Sequence, residues 1–300
     1  LPITNPLLKN FKGALFVFLG AICFSIKAIL IKLAYGYAID AVTLLTLRMA
    51  FSLPFFLAVP FLYRKKESHE PASKKDWIFI ILLGILGYYV ASIFDFWGLQ
   101  YVTASLERLI LFIYPTIVVL LSAVFFKKAV TKTILIALLL TYLGIFIIFS
   151  DTTLKVQHNI VLGSAFIFVS AFTYAAYLVG SGKLIPKIGS VLFNTYAMIV
   201  SCIAVIIHFA IAQPSNLFQL SAEMYGYGFA IAIISTVIPT FLIAEGINLI
   251  GSSKASIIAS IGPVITILLG YLLLGEPVTM MELVGASFVM CGVLFISYGK

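Results

Sequence analysis

Runs of some twenty apolar residues, separated by short polar connections, recur from one end of this chain to the other. Each can cross a hydrocarbon core ~30 Å thick at ~1.5 Å of helical rise per residue. The runs read as spans at 13–33, 42–62, 78–98, 104–126, 133–150, 160–180, 190–211, 225–246, 254–274 and 282–298. In a bilayer every backbone N–H and C=O needs a partner inside the protein, so such runs are helices. Composition agrees: 62% of residues are hydrophobic and 10% charged, where a water-soluble domain carries about 25% charged residues. A signal peptide does not repeat along a chain. The expected fold is therefore an all-α integral membrane protein with ten transmembrane helices. The longest polar connection, Arg64 to Asp76, leaves no room for a separate soluble domain. No Walker-type phosphate loop is present, which argues against an intrinsic ATPase.

Charge sets the expected orientation. With the N-terminus in the cytoplasm, cytoplasmic segments hold Lys9, Lys12, Arg64, Lys65, Lys66, Lys74, Lys75, Lys127, Lys128, Lys132, Lys183, Lys187, Lys254 and Lys300, fourteen of the nineteen basic residues. External segments hold Lys155 and, at a span end, Lys32. Short cytoplasmic loops retain Lys and Arg, so both termini are expected inside a plasma (inner) membrane that the chain crosses many times. The same asymmetry absorbs most of the net charge of +8 without a nucleic-acid partner. Cys23, Cys202 and Cys291 all lie in apolar runs and form neither a disulfide framework nor a metal-ligand spacing. Histidine is as sparse, with His69 and His158 in connections and His208 near a span end.

The chain repeats itself. A shift of 148 residues places Gly98 on Gly246, Ser105 on Ser253, Pro115 on Pro263, Val130-Thr131 on Val278-Thr279 and Gly144 on Gly292. A shift of 150 places Gly13 on Gly163. The halves, 1–150 and 151–300, hold five spans each, so the second is expected to sit inverted relative to the first. Lys127-Lys128 in the first half is replaced by Gly275-Glu276 in the second, as a change of membrane side would require. Inverted repeats characterise transporters that alternate access around a site between the halves.

Two sets of five spans, a proline within the fourth and ninth, and Leu274-Gly275-Glu276-Pro277-Val278-Thr279 after the ninth together resemble the drug/metabolite transporter superfamily, in its EamA branch. One departure is Lys127-Lys128, where many members of that family keep a Gly-Glu pair. The resemblance implies a central cavity lined by spans one, three, four, six, eight and nine. It further implies export or uptake of amino acids and related metabolites, with no cofactor.

Ionisable residues within the spans are costly, about 2.5–3.5 kcal/mol each on insertion scales, and mark interiors or wet cavities. Lys27 lies ~21 Å above the cytoplasmic end of its span and Arg48 ~9 Å below the external end of its own. Asp95, Glu107 and Arg108 come from the same outer depth. These five charges from four helices are the candidate substrate pathway, with Lys27 or Arg108 meeting a carboxylate. Asp95 or Glu107 would orient that cation, contact a substrate ammonium or carry a coupling proton. Two ion pairs and one surplus cation are the expected arrangement. The bland alternative is a set of structural ion pairs with snorkelling stems. Glu245, near the cytoplasmic end of the eighth span, is a gate candidate or an interfacial partner of Lys183 or Lys254.

Pro115 and Pro263 are expected to kink spans four and nine as matched hinges. Pro239 kinks span eight, while membrane helices also tolerate proline as a packing feature. Tyr88, Tyr89, Tyr114, Tyr174 and Tyr177 lie deep enough to line a cavity, and Ser256 belongs to a small polar face of span nine suited to helix contact or substrate lining. An intramembrane enzyme would need a convergent nucleophile, base or metal set, and the spans offer one histidine. A scaffold or receptor would leave the buried charges without a purpose. The reading is a secondary transporter of small metabolites, amino acids or related zwitterions and carboxylates, with export favoured over the import of a small organic anion. Its partners are a small-molecule substrate and the lipid bilayer; no sequence feature marks an oligomeric state.

Overall fold

The computed structural model describes residues 6–63, 72–126, 132–150, 159–212 and 216–298. Helices account for nearly all of them, and no strand occurs among the described residues. The chain runs α1 (Pro6–Tyr35), α2 (Ala41–Tyr63), α3 (Lys74–Gly84), α4 (Ala91–Gly98), α5 (Ala104–Leu111), α6 (Tyr114–Phe126) and α7 (Lys132–Phe149). It continues as α8 (Ile160–Ser181), α9 (Ile185–Ile188), α10 (Ser190–Ala212), α11 (Ala222–Ala232), α12 (Ile238–Ile250), α13 (Ser252–Ala259), α14 (Gly262–Leu269) and α15 (Met280–Tyr298).

Seven continuous helical stretches are long and apolar enough to cross a membrane: 10–35, 41–62, 74–98, 104–125, 160–181, 190–212 and 222–250. At the fifth, ninth and tenth apolar runs of the sequence the apolar helices are shorter, at Leu135–Phe149, Gly262–Leu274 and Met280–Leu294. The ninth run is shortened because it breaks at Ser260-Ile261, between α13 and α14. Large apolar side chains such as Phe61, Phe125, Phe146 and Ile211 are exposed on the outer faces, the arrangement that suits a hydrocarbon solvent.

Interruptions in the long helices recur at the spacing of the sequence repeat. The fourth run breaks at Phe112-Ile113, two residues before Pro115. The ninth breaks two residues before Pro263, and each proline is the second residue of the helix that follows. Proline lacks a backbone donor and crowds the preceding turn, so both helices restart at it. Widened π-turns occupy Ile85–Val90, Ile233–Val237 and Gly270–Leu274, and the first two start 148 residues apart. In those two, a backbone N–H reaches back five residues, Ala91 to Leu86 and Ile238 to Ile233. Pro239, just past the second π-turn, explains that one: it cannot donate to Ser235, and the wider turn absorbs the mismatch.

Close helix contacts are made through small residues. At the crossing of α7 and α15, a Cβ added to Gly144 would lie 2.5 Å from the Gly285 carbonyl oxygen. Only glycine permits this approach, and dispersion across it replaces the hydrophobic drive that lipid does not supply.

Candidate functional site

Four helices bring charge to one place. Lys27 on α1 sits with its Nζ 2.6 Å from Asp95 Oδ2 on α4 and 3.1 Å from Glu107 Oε1 on α5. Both carboxyl side chains are buried, Glu107 completely. A lone charge in such surroundings would cost several kcal/mol, and one ammonium between two carboxylates offsets much of that. Among the described residues Asp95 Oδ1 and both Glu107 oxygens accept no hydrogen bond.

Two arginines approach the same space without a carboxylate. Arg48 on α2 is buried; its Nε donates to Thr236 Oγ1 at 2.8 Å and its Nη1 to Ser92 Oγ at 3.3 Å. The guanidinium carbon stands 5.7 Å from the Phe96 ring centre, a cation–π contact. Thr236 is presented by the π-turn before α12, and Tyr88 occupies the repeat-equivalent position in the π-turn before α4. Such turns redirect side chains and are frequent at functional sites. Arg108 on α5 packs 5.9 Å from the Phe112 ring centre, and among the described residues its Nε has no hydrogen-bond partner. The space it fills is left by Gly262, where a Cβ would lie 2.8 Å from Arg108 Nη2. Among the described residues neither arginine forms an ion pair. The sequence expectation of two ion pairs with one surplus cation is therefore corrected. Lys27 holds both carboxylates, and two cations remain.

These side chains line one end of a cavity of about 550 Å³. Its wall runs from Lys27, Arg48, Asp95 and Arg108 past Tyr88, Tyr114, Tyr174 and Asn194 to Ser181, Ser190 and Ile247. Ser190 and Ile247 are exposed, so the cavity reaches the surface at that end. Tyr88 and Tyr177 both direct hydroxyls to Asn194 Oδ1, the latter at 3.1 Å. Tyr174 stacks against Tyr177 with ring centres 5.9 Å apart and meets Tyr114 edge-on at 5.2 Å.

Beyond the charged end the bundle is tied shut. Glu276, buried after α14, accepts the Ala104 N–H at 2.8 Å, the Ser105 N–H at 3.3 Å and the Ser105 hydroxyl at 3.2 Å. It thus caps α5 with a carboxylate, satisfying free N–H groups and complementing the helix dipole. Lys32 Nζ donates to the carbonyls of Leu99 at 3.3 Å and Val102 at 2.9 Å, which joins α1 to the end of α4.

Of the residues singled out from sequence, Lys27, Arg48, Asp95, Arg108, Tyr88, Tyr114, Tyr174 and Pro115 lie on the cavity wall. Glu107 lies behind it against Lys27. Pro263 is buried at the start of α14, off the wall. Glu245 is exposed, also off the wall, and forms no ion pair among the described residues. The side chain of Ser256 lies outside the described residues, as do Lys127, Lys128, Lys155, His69 and His158. Sequence reasoning missed Ser92, Asn194 and Thr236, which look like ordinary polar residues within apolar runs. Glu276 was visible within its motif, but nothing assigned it to capping a helix from the other half.

A bundle of apolar helices around a largely apolar cavity that gathers a few charged and polar side chains is an arrangement suited to a membrane carrier. The chain belongs to the EamA-like transporter family, whose model matches residues 11–150 and 161–298. It is 31% identical over 291 residues to the uncharacterized transporter YcbK of Bacillus subtilis, covering 96% of this chain and 92% of that one. It is also 23% identical to the uncharacterized inner membrane transporter YicL of Salmonella typhimurium, over 84% of this chain and 83% of the relative. A crystal structure with 16% identity superposes with a TM-score of 0.63 over 95% of this chain and 96% of its own, so the fold is shared. The protein is thus a multi-pass integral membrane transporter.

Proposed function

We propose that this protein carries small carboxylate-bearing metabolites through its central cavity by alternating access. One observation supports the substrate class above the others: Arg48 and Arg108 face the cavity while the carboxylates nearby are taken by Lys27. A guanidinium offers paired donors that match a carboxylate. The cavity, about 550 Å³, falls within the usual range for small-molecule sites. Lys27 already stands between Asp95 and Glu107 where an amino acid's ammonium would bind, so a simple organic anion fits better than a zwitterion.

Ten spans in two inverted halves are the architecture proposed for this cycle. The proline breaks and two π-turns support it by recurring 148 residues apart, and the family model matches in two successive blocks. Pro115 and Pro263 are the proposed hinges. Lys183, Lys187 and Lys254 lie towards the end where the cavity reaches the surface. By the positive-inside rule that end is cytoplasmic, with both termini on the same side.

The test is uptake and exchange of a radiolabelled panel of carboxylates and amino acids in proteoliposomes, comparing wild type with Arg108→Gln. Saturable carboxylate flux is expected, reduced about 10- to 100-fold in the variant, the worth of one charged hydrogen-bonded contact. Flux that is indifferent to the substitution would remove Arg108 from the site. Absence of flux for every compound would favour a non-transporting scaffold.

A further inference from the structure

Lys27, Asp95 and Glu107 are unbalanced as a group. One ammonium serves two carboxylates, and both lie within 3.1 Å of the same nitrogen, so their oxygens are near neighbours. Like charges held this close in a dry site do not both stay ionised readily. The two are not equivalent. Asp95 makes the shorter contact, 2.6 Å with a hydrogen bond from Lys27, and lies on the cavity wall. Glu107 is completely buried behind that wall, and among the described residues neither of its oxygens accepts a hydrogen bond, whereas Asp95 Oδ2 does. A buried carboxyl oxygen with no donor is where a proton removes the most uncompensated charge.

The groups around Glu107 are few. Lys27 faces it from α1, Asp95 from α4 and Arg108 from its own helix. Arg48 on α2 faces Lys27 and Asp95. From α8 come only Tyr174 and Tyr177, and α14 carries no ionisable side chain. Glu276 is occupied at the N-terminus of α5. Asp95 is the other acid at this position, and the shorter contact to Lys27 is its own.

We propose that Glu107 is the binding site of a coupling proton, carried in the same direction as the substrate. Resting on the carboxylate-transporter reading above, the charge balance shows why. With both acids ionised, three cations and two anions leave the empty cavity at +1. A monocarboxylate alone would bring it to zero, and a proton alone to +2. A monocarboxylate together with a proton on Glu107 returns it to +1. Loaded and empty cavities then carry the same charge through the occluded state, where solvent screening is lost and a change of charge is costly. The proton moves from the aqueous phase to a Glu107 oxygen and leaves from it on the other side; no bond of the substrate changes.

Two measurements test this separately from the transporter reading. The first uses purified wild-type protein without substrate, in infrared difference spectra taken across a pH titration. The C=O stretch of a protonated, poorly hydrated carboxyl is expected, lost in Glu107→Gln and shifted in Glu107→Asp if the glutamine variant does not fold. No such band, or a band that persists in Glu107→Gln, overturns the assignment whatever the flux experiments give. The second loads proteoliposomes with a pH gradient and reads the steady-state accumulation ratio of a monocarboxylate. Wild type is expected to accumulate about tenfold per pH unit, one proton per substrate, with no response to an imposed membrane potential. In Glu107→Gln the ratio is expected to fall to one. Flux that equilibrates without regard to the pH gradient, or that follows the membrane potential, overturns proton coupling and leaves the carboxylate transporter standing. Absence of any flux overturns the transporter reading, and the infrared band then decides the proton site alone.

Discussion

The closed end of the cavity is lined by charge and the open end by rings and small side chains, with one ion pair, Lys187 to Asp76 at 2.5 Å, at the open rim. Near the closed end Lys27, Asp95, Glu107 and Arg108 converge, with Glu276 and Lys32 fastening helix ends beyond them. By the repeat register of the sequence, 150 residues for the first span and 148 for the rest, the positions equivalent to Lys27, Asp95, Glu107 and Arg108 are Tyr177, Ile243, Ala255 and Ser256. Not one of these is ionised. In the two-half architecture proposed above, the proline breaks and two π-turns stay in step while the chemistry is divided. The lesson is that repeat symmetry sets where helices bend and meet, whereas single substitutions on that frame decide which end is latched. A charged latch is directional and opens when a proton or a substrate anion alters its balance. An aromatic contact responds far less to either.

The largest test of this contrast is removal of the shared cation. Lys27→Met leaves two buried carboxylates without the ammonium they share, a loss of about 3–5 kcal/mol when one partner of a buried pair is removed. Denaturation in detergent micelles should show that loss, and adding Asp95→Asn should recover much of it. Tyr177→Phe at the open end should cost about 1 kcal/mol by the same assay, since only one neutral hydrogen bond disappears. Equal effects at the two ends would erase the distinction between latch and ring contact.

A smaller effect is expected at Glu276. Glu276→Gln keeps an acceptor near Ala104 and Ser105 but removes the charge at the N-terminus of α5, a change worth about 0.3–1 kcal/mol. Glu245→Gln is the matched control, exposed and off the cavity wall, and should stay within about 0.5 kcal/mol of wild type. A control that loses as much as Glu276→Gln would mean that the capping contact does not hold the closed end.

These contrasts also mark how far the sequence could be read. The seven full-length helices were legible because membrane thickness dictates the length of an apolar run. Pro115 and Pro263 announced the breaks because a missing N–H has a local consequence. The π-turns were not legible: Ile85–Val90 contains nothing that differs from an ordinary apolar helix. Depth along each span correctly grouped Lys27, Asp95 and Glu107, but depth says nothing of rotation about the helix axis. Rotation decides that Lys27 meets both acids and that Arg48 turns to Thr236 and Ser92. Asn194 escaped notice for the same reason, since its role depends on two tyrosines from other helices.

The finest test lies in that tyrosine group. Tyr88→Phe removes one hydroxyl from Asn194 and leaves the ring contacts with Tyr174 and Tyr177 in place. Asn194 Oδ1 retains the Tyr177 hydroxyl at 3.1 Å, so the amide is not stranded. The expected loss is one neutral hydrogen bond, about 0.5–1.5 kcal/mol. In transport this corresponds to a rise of roughly 2- to 12-fold in the substrate concentration for half-maximal flux, if Tyr88 also faces the bound substrate. Asn194→Ala takes away the acceptor shared by both tyrosines and should cost more than Tyr88→Phe in stability. If instead Tyr88→Phe matched Lys27→Met, the rings would be fastening the bundle as strongly as the charges do, and the two ends would not differ in kind.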